Sequence, residues 1–194
     1  MKIHPAFFAT LVGSFLLASC NRPIKNKVSL EKYLHDFGHG LSKAHEVDKL
    51  KASVTFMPWQ VIATKTKQKS KSSIRTLKSK YYFVLALSAN GKELLHQLPF
   101  NQYSEMVQVL AFRMQQYVSI TTAEGKVVEP ESCLFQQTYG LAKENDVLLV
   151  FNRSELENTS EMNLKIKEFG LNFGNLDYEI KTGDIVRIPE IQLN

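Results

Sequence analysis

Residues 80–98 have the sequence KYYFVLALSANGKELLHQL, and this stretch indicates the class of fold. Residues 80–89 are rich in aromatic and aliphatic side chains, as strands are. Asn90-Gly91 follows, and this dipeptide is a strong signal for a two-residue hairpin turn. Residues 92–98 then return as a second strand. The sequence therefore predicts a β-hairpin near the middle of the chain.

Further strand-like segments lie on both sides of this hairpin. In residues 163–167, NLKIK, apolar and polar side chains alternate as they do along a strand with one buried face. The other predicted strands are 53–66, 110–122, 127–128, 132–138, 147–152, 163–169, 176–180 and 185–188. Short strands at this spacing, without an alternating βαβ pattern, predict an antiparallel β-sandwich over residues 52–194. An immunoglobulin-like arrangement is the leading form.

Two short helical regions are predicted beside the strands. Residues 29–51 form an N-terminal helical segment, because Ser29 is a good helix N-cap and the apolar residues after it recur at helical spacing. Gly38-His39-Gly40 interrupts this helix, and one or two further turns follow. Residues 101–122 fit a helical stripe and strand alternation almost equally well. We assign a short helix to 101–109 and a strand from there to Thr122.

Composition excludes several classes of protein. The chain has 194 residues, of which 44% are apolar and 22% charged, with 9 Gly and 6 Pro. One globular domain with a buried core fits these values, whereas collagen-like, low-complexity, wholly disordered and multi-span membrane proteins do not. The two cysteines are too few for a disulfide-stapled miniprotein or a four-cysteine zinc site.

The first twenty residues have the pattern of an export signal. Lys2 supplies a positive charge, and residues 5–19 contain no charged side chain. As a helix, this apolar stretch would rise only about 22 Å, less than the roughly 30 Å hydrocarbon core of a bilayer. Residues 1–19 are therefore predicted to be a cleaved signal peptide rather than a membrane-spanning helix.

The end of this segment, Leu17-Ala18-Ser19-Cys20, resembles the lipobox of bacterial lipoproteins. The resemblance implies cleavage before Cys20, a diacylglyceryl group on its thiol and usually a third acyl chain on its amine. Two or three acyl chains anchor a protein stably in a bilayer, whereas a single chain binds only marginally. The alternative is an ordinary signal peptide with an incidental cysteine.

Residues 20–28 are predicted to be a lipidated tether, because residues 21–27 are polar, basic and interrupted by Pro23. Extended, this tether would span about 25 Å. In many Gram-negative lipoproteins a residue other than Asp after the cysteine favours the outer membrane. Asn21 therefore implies an outer-membrane anchor that faces the periplasm, with the bilayer as a partner. With Cys20 acylated, Cys133 has no disulfide partner in the chain and is predicted to be a small apolar residue of a strand.

Positive charge is concentrated in residues 65–80, KTKQKSKSSIRTLKSK, which contain seven cations and no acid. The candidate binding residues are Lys65, Lys67, Lys69, Lys71, Arg75, Lys78 and Lys80. In an extended chain the first four would project from one face about 7 Å apart. Such a ladder would bind an anionic envelope polymer, an anionic headgroup or an acidic envelope protein. The alternative is a solvated loop or an edge strand protected by lysine against aggregation. Export argues against nucleic acid as a partner.

Three histidines, His35, His39 and His45, lie within eleven residues, and the first two are four residues apart. This spacing stacks two imidazoles on one helical face, as metal-binding helices require. However, Gly38 and Gly40 would disrupt the helix, and no HExxH pattern is present. These histidines are weak candidates, and the prediction is that the chain holds no metal and no cofactor.

No catalytic motif is recognisable in the sequence. It contains no G-x-S-x-G elbow, no GxxxxGK[ST] phosphate loop and no GxGxxG turn. The function that we expect is a non-catalytic binding or scaffold module, with loops 139–146 and 152–162 as candidate contacts and Tyr139 as an aromatic contact. The alternative is an envelope hydrolase that acts on cell-wall or glycan material with residues brought together only by the fold.

Overall fold

Two antiparallel sheets form the body of the protein. The computed structural model describes residues 23–192. Its strands are β1 (Ser42–Val47), β2 (Leu50–Met57), β3 (Lys80–Ala89), β4 (Lys92–Glu93), β5 (Val118–Thr122), β6 (Val127–Val128), β7 (Ser132–Phe135), β8 (Asn145–Asn152), β9 (Glu161–Ile166) and β10 (Leu176–Lys181). The first sheet has the order β1-β2-β3-β8-β7, with β4 paired to β3, and the second has the order β10-β9-β5-β6. The predicted mainly β, sandwich-like class is confirmed.

The main core lies between the two sheets. Along β3, alternate residues such as Phe83 and Leu85 are fully buried, and the ring of Phe83 packs edge-on against Phe56 and Phe151, with centroids 5.5 and 5.9 Å away. In the second sheet, β9 and β10 bury every second side chain, among them Leu164, and expose the polar ones between them. This period of two leaves each sheet with one face in the core.

The strand order differs from that of an immunoglobulin domain. In that fold the third strand lies in the second sheet. Here β1, β2 and β3 are consecutive neighbours in one sheet, and β8 joins the free edge of β3. This order therefore replaces the immunoglobulin-like form that we expected from the sequence.

The structure contains more helix than the sequence indicates. The α-helices are α1 (Lys27–His35), α2 (Trp59–Thr66), α3 (Lys71–Lys78), α4 (Phe100–Gln108) and α5 (Thr182–Val186). Single turns of 3-10 helix lie at Phe37–His39, Leu94–Gln97, Met114–Gln116 and Arg153–Glu155, and one π-helical turn at Val109–Arg113. The predictions for α1 and α4 are correct in type and within two residues of their starts.

Five sequence-based assignments are wrong. The strand predicted to follow Val109 begins only at Val118, because a π-helical turn and a 3-10 turn continue the helix through Gln116. The second half of the predicted helical segment 29–51 is strand, because residues 42–47 pair with β2 as its edge neighbour. The predicted strand 53–66 ends at Met57, and α2 follows Pro58. Most of predicted strand 92–98 is a 3-10 turn, and α5 replaces most of the strand expected at 185–188. In each case pairing or packing with distant parts of the chain overrides the local preference.

The two ends of the described chain meet. Ile24 forms a parallel β-bridge with Ile191, and its N–H donates to the carbonyl of Glu190 at 2.8 Å. The hydroxyl of Tyr33 on α1 donates to the carbonyl of Arg187 at 3.4 Å. Backbone and side-chain hydrogen bonds therefore join the first and the last described segments of the chain.

Candidate functional site

A groove of about 730 Å³ lies on the face of the first sheet that points away from the second. Strands β2, β3 and β8 form its floor, and α1 and α2 form its walls. We call it the α1–α2 groove. Its lining residues are Lys25, Asn26, Lys27, Leu30, Glu31, Leu34, His35, Thr55, Met57, Val61, Thr64, Lys65, Val84, Ala86, Glu144 and Asp146.

Strand register fixes the floor of the groove. Thr55 lies opposite Val84, and Ala86 lies opposite Asp146, so these side chains share the outer face of the sheet. The hydroxyl of Thr55 is satisfied by Ser42, 2.9 Å away and also buried. The floor is therefore mainly apolar, with the carboxyl of Asp146 as its charged group.

Two short helices form the walls because each has a defined start. The side chain of Asn26 accepts a hydrogen bond from the N–H of Ser29 at 2.8 Å and caps α1, which then buries Leu30 and Leu34 one turn apart. Helix α2 begins directly after its N-cap residue Pro58, which makes no side-chain capping hydrogen bond, and it buries Val61 and Ile62. The apolar walls thus follow from helical spacing, with a side-chain cap at the start of α1.

The charges around the groove are nearly balanced. Lys27 pairs with Glu31 at 3.8 Å along α1, and both are largely exposed. The side chain of Asp146 faces the water of the open groove. Desolvation by the surrounding protein, with the negative charge of Glu144, raises the pKa of Asp146, while Lys65 and His35 oppose this shift. The floor therefore carries a carboxyl that holds its proton more tightly than an ordinary aspartate.

The basic segment 65–80 does not form the extended ladder that we predicted. It contains the end of α2, a left-handed residue at Lys67 with φ 55°, and α3. Lys65 lines the groove, the ammonium of Lys78 lies 4.9 Å from the ring centroid of Trp59, and Lys80 pairs with Glu131. Of the seven cations, Lys80 alone has a carboxylate within 4.0 Å among residues 23–192.

The remaining basic candidates are Lys67, Lys69, Lys71 and Arg75, and all four are exposed on or beside the turn between α2 and α3. Helix α3 buries none of its residues. Their charges therefore face solvent, on a pair of helices rather than on one strand.

The three histidines have three different environments. His35 lines the groove at the end of α1. The ring of His39 stacks on Tyr33 with centroids 3.8 Å apart, and its Nδ1 lies 2.9 Å from the carbonyl oxygen of Tyr33. His45 lies exposed on edge strand β1. Between residues 23 and 192, no group of three or more His, Cys, Asp or Glu side chains is arranged to hold a metal ion.

The candidate loop 139–146 is held in place by Glu93. The buried Glu93 carboxylate accepts hydrogen bonds from Oγ1 of Thr138 at 2.6 Å, the N–H of Gly140 at 2.9 Å and the N–H of Ala142 at 2.7 Å. Burial alone would raise the pKa of Glu93, but these donors outweigh it and hold the pKa below its usual value. Tyr139 lies in this loop, 70% exposed and in the left-handed region at φ 53°.

A second carboxylate organises the loop after β9. Burial raises the pKa of Glu168, but four backbone N–H groups outweigh this effect and lower it. Their donor-to-acceptor distances are 2.7 Å for Gly170, Leu171 and Gly174 and 3.0 Å for Asn172.

The other candidate loop, 152–162, contains a 3-10 turn and the buried Thr159, whose hydroxyl accepts from the N–H of Ala123 at 3.0 Å. Thr159 thus ties the loop 152–162 to the turn between β5 and β6.

Of the two cysteines, the structure describes Cys133 but not Cys20. Cys133 lies half-buried on β7, and desolvation raises the pKa of its thiol to about 12. It therefore stays a neutral thiol at physiological pH. Cys20 and the rest of the lipobox lie outside the described residues, as do the whole of the predicted signal peptide and residues 20–22 of the predicted tether. Between residues 23 and 192, none of the helices combines the length and apolar character needed to cross a bilayer.

Comparison of the chain with protein-family models, with curated proteins and with solved structures finds no match. The site is therefore argued from its own geometry. Sequence reasoning found Lys65 and His35 but not the groove that they share. It also missed Asp146, for which the signal was an acidic residue at the start of an otherwise apolar strand, 145–152.

Proposed function

We propose that this chain is a lipid-anchored envelope protein that acts by binding an amphiphilic molecule in the α1–α2 groove, without catalysis. The observation that carries this proposal is the groove, about 730 Å³ in volume, with a mainly apolar floor and a charged rim. Small-molecule sites are typically roughly 300–1,000 Å³ and apolar with a few polar groups. An amphiphile fits both parts, because its tail would cover the aliphatic floor and its head would meet the rim.

The position of the lipobox supports this proposal. Lys25 lines the groove, and five residue steps separate it from Cys20. Those steps span at most about 18 Å. An acylated Cys20 would hold the groove close to the headgroup layer, where amphiphiles are concentrated. The membrane that we infer is the outer membrane of a Gram-negative envelope, with the domain in the periplasm.

The exposed cations of segment 65–80 give this proposal a second contact. In a chain anchored through Cys20, they would attract the phosphates of anionic headgroups or of an anionic envelope polymer, by roughly 1 kcal/mol for each cation near the surface. An acidic envelope protein would be attracted in the same way. This contact would orient the domain without forming a selective site.

A hydrolase acting on envelope material is the second candidate, and Asp146 is the observation that favours it. A carboxyl with a raised pKa in a cleft, near a histidine and a second carboxylate, resembles the general acids of many enzymes. Turnover would separate the two candidates. A binding protein returns its ligand unchanged, whereas a hydrolase releases new products that mass spectrometry detects.

Mass spectrometry of the protein purified from its host tests the anchor. We expect a mature chain that begins at Cys20 and carries the mass of two or three acyl chains. A Cys20→Ser variant should remain unacylated and leave the membrane fraction on detergent phase separation. An unmodified mature terminus at another residue would contradict the lipoprotein assignment.

A fluorescent probe tests the groove. The chain from residue 21 onward avoids the detergent that an acylated protein requires, and it contains both sheets and their core. We expect it to bind phenylnaphthylamine, an uncharged apolar probe, saturably at one site. Ala86→Phe places a large ring on the groove floor and should weaken binding at least about fivefold. Thr121→Phe, a matched control on the outer face of β5, should not. Absence of saturable binding would contradict the proposal.

A further inference from the structure

The carboxylate of Asp146 is the feature of the groove that most constrains its ligand. Asp146 lies opposite Ala86 in the register of β8 and β3, so it rises from the apolar floor rather than from the outer rim. Among residues 23–192 no salt bridge involves Asp146, whose carboxylate is exposed to the water of the open groove. A ligand that covers the floor displaces this water, and a desolvated carboxylate is unfavourable without a partner. The ligand must therefore supply a cation or a hydrogen-bond donor.

The surrounding charges favour a cation. Glu144 also lines the groove and adds a second negative charge near Asp146, whereas Lys65 and His35 act on Asp146 in the opposite sense. Asp146, Glu144 and Lys65 together carry one net negative charge. A positively charged head would neutralise it.

We propose that the α1–α2 groove selects amphiphiles whose head group carries an amine, with the carboxylate of Asp146 as its counter-ion. This inference rests on the proposed function, because the same groove holds the tail. An ammonium donates up to three hydrogen bonds and forms a charge-assisted pair with a carboxylate. The tail would lie over Met57, Val61 and Val84. The amine thus gives selectivity, and the tail gives affinity.

An anionic head is the poorer match. It would approach the carboxylates of Asp146 and Glu144. Lys25 and Lys27 also line the groove, but Lys27 is already paired with Glu31 at 3.8 Å. Juxtaposed like charges weaken binding. The groove should therefore rank heads of equal tail length in the order amine, then uncharged alcohol, then carboxylate.

Isothermal titration calorimetry on the chain from residue 21 onward tests this ranking. The three probes are dodecylamine, dodecanol and dodecanoate, each below the concentration at which it aggregates, near neutral pH. We expect dodecylamine to bind at least about tenfold more tightly than dodecanol, the lower range for a hydrogen-bonded charge pair. Propylamine, which has the head but no tail, should bind too weakly to measure.

Asp146→Asn separates the head from the tail. This variant keeps the shape of the side chain and removes its charge, so the preference for amine over alcohol should disappear while dodecanol affinity stays unchanged. Asp177→Asn is the matched control, because Asp177 lies on the outer face of β10 and pairs with Lys165 at 3.8 Å. It should leave all three affinities unchanged.

The outcomes distinguish the two proposals. If dodecanol binds and dodecylamine binds no better, or if Asp146→Asn keeps the amine preference, the amine inference is wrong and the groove remains. If none of the three probes binds, the proposed function fails with it.

Acidification gives a further readout, because protonation of Asp146 should lower the affinity for dodecylamine more than that for dodecanol. Glu144, Lys65 and His35 also act on this carboxyl. Any effect of pH on dodecylamine affinity that remains in the Asp146→Asn variant comes from other groups such as these.

Discussion

The phenolic hydroxyl of Tyr178 donates a hydrogen bond to the backbone carbonyl of Ala52 at 3.1 Å, deep between the two sheets. Tyr178 lies on β10 in the second sheet, and Ala52 lies on β2 in the first. The side chain of Tyr178 is almost fully buried, and its one polar atom has a partner. This bond fixes the two sheets relative to each other, whereas apolar contacts alone allow small shifts.

Tyr178→Phe removes this bond and keeps the ring. We expect the free energy of unfolding to fall by about 1–2 kcal/mol, because the carbonyl of Ala52 loses a buried partner. Urea unfolding followed by circular dichroism measures the change. Tyr139→Phe is the matched control, since the side chain of Tyr139 is largely exposed and should change stability by less than about 0.5 kcal/mol. Equal stability of the wild type and Tyr178→Phe would show that the bond contributes nothing.

The same residue predicts how stability changes at alkaline pH. Desolvation raises the pKa of the Tyr178 phenol in the folded protein well above its usual value of about 10. The unfolded state therefore loses this proton first as the pH rises, so the free energy of unfolding should fall above about pH 10. Thermal unfolding between about pH 8 and pH 11 measures the fall. The stability of the Tyr178→Phe variant should fall less steeply with pH than that of the wild type. Parallel curves for the two proteins would rule out a contribution from Tyr178.

Glu93→Gln tests whether the buried carboxylate holds loop 138–142. The Gln side chain replaces one carboxylate oxygen with an NH₂ group, which is a donor only. At least one of the groups that donate to Glu93 in the wild type would then face another donor. We expect a loss of about 2–3 kcal/mol in stability and faster hydrogen exchange at the N–H groups of Gly140 and Ala142. Because the folded-state pKa of Glu93 is lowered, its contribution is present above about pH 4.5 and is lost as the pH falls.

The control for this variant is Glu179→Gln, which changes an exposed carboxylate on β10 that pairs with Lys181 at 3.5 Å. Its effect should be below about 0.5 kcal/mol. If Glu93→Gln leaves the exchange rates of Gly140 and Ala142 unchanged, the loop does not depend on this carboxylate.

Strands could be predicted from the sequence where alternation was unbroken. Residues 163–166 of the alternating segment fall within β9, and the apolar run 80–89 is β3 itself. Asn90-Gly91 turns the chain as expected, with both residues at positive φ. These features are local, since each depends on side-chain period or turn chemistry within a few residues. The class of fold follows from them.

The helices on the outer face were harder to predict. Residues 59–66 contain Val61, Ile62 and several threonines, which favour strands, yet they form α2. The helix is favoured because Val61 and Ile62 become buried there, a gain that depends on partners far away in the sequence. Prediction of the groove would also have required the register of β3 with β8, which brings Ala86 and Asp146 together across sixty residues. Such non-local pairing is not visible in one sequence.

Reversal of the four lysines nearest the turn between α2 and α3 tests the proposed surface contact. The chain from residue 21 onward should bind vesicles that contain phosphatidylglycerol, and salt should weaken this binding. Glu at positions 65, 67, 69 and 71 should reduce binding by about tenfold or more. The matched control changes four exposed lysines elsewhere to Glu: Lys32, Lys49, Lys92 and Lys143. Equal loss in both variants would indicate net charge rather than a defined surface.

Cys133 should be chemically inert in the folded protein. Its thiol lies half-buried on β7, and desolvation raises its pKa to about 12. Near pH 8 the thiolate fraction is then roughly a thousandfold smaller than that of a free cysteine, and the thiolate is the form that reacts. Iodoacetamide should therefore label the folded chain from residue 21 onward very slowly and the urea-unfolded chain at the ordinary rate. Rapid labelling of the folded protein would mean that the thiol is ionised, and a nucleophilic role for Cys133 would then need to be considered.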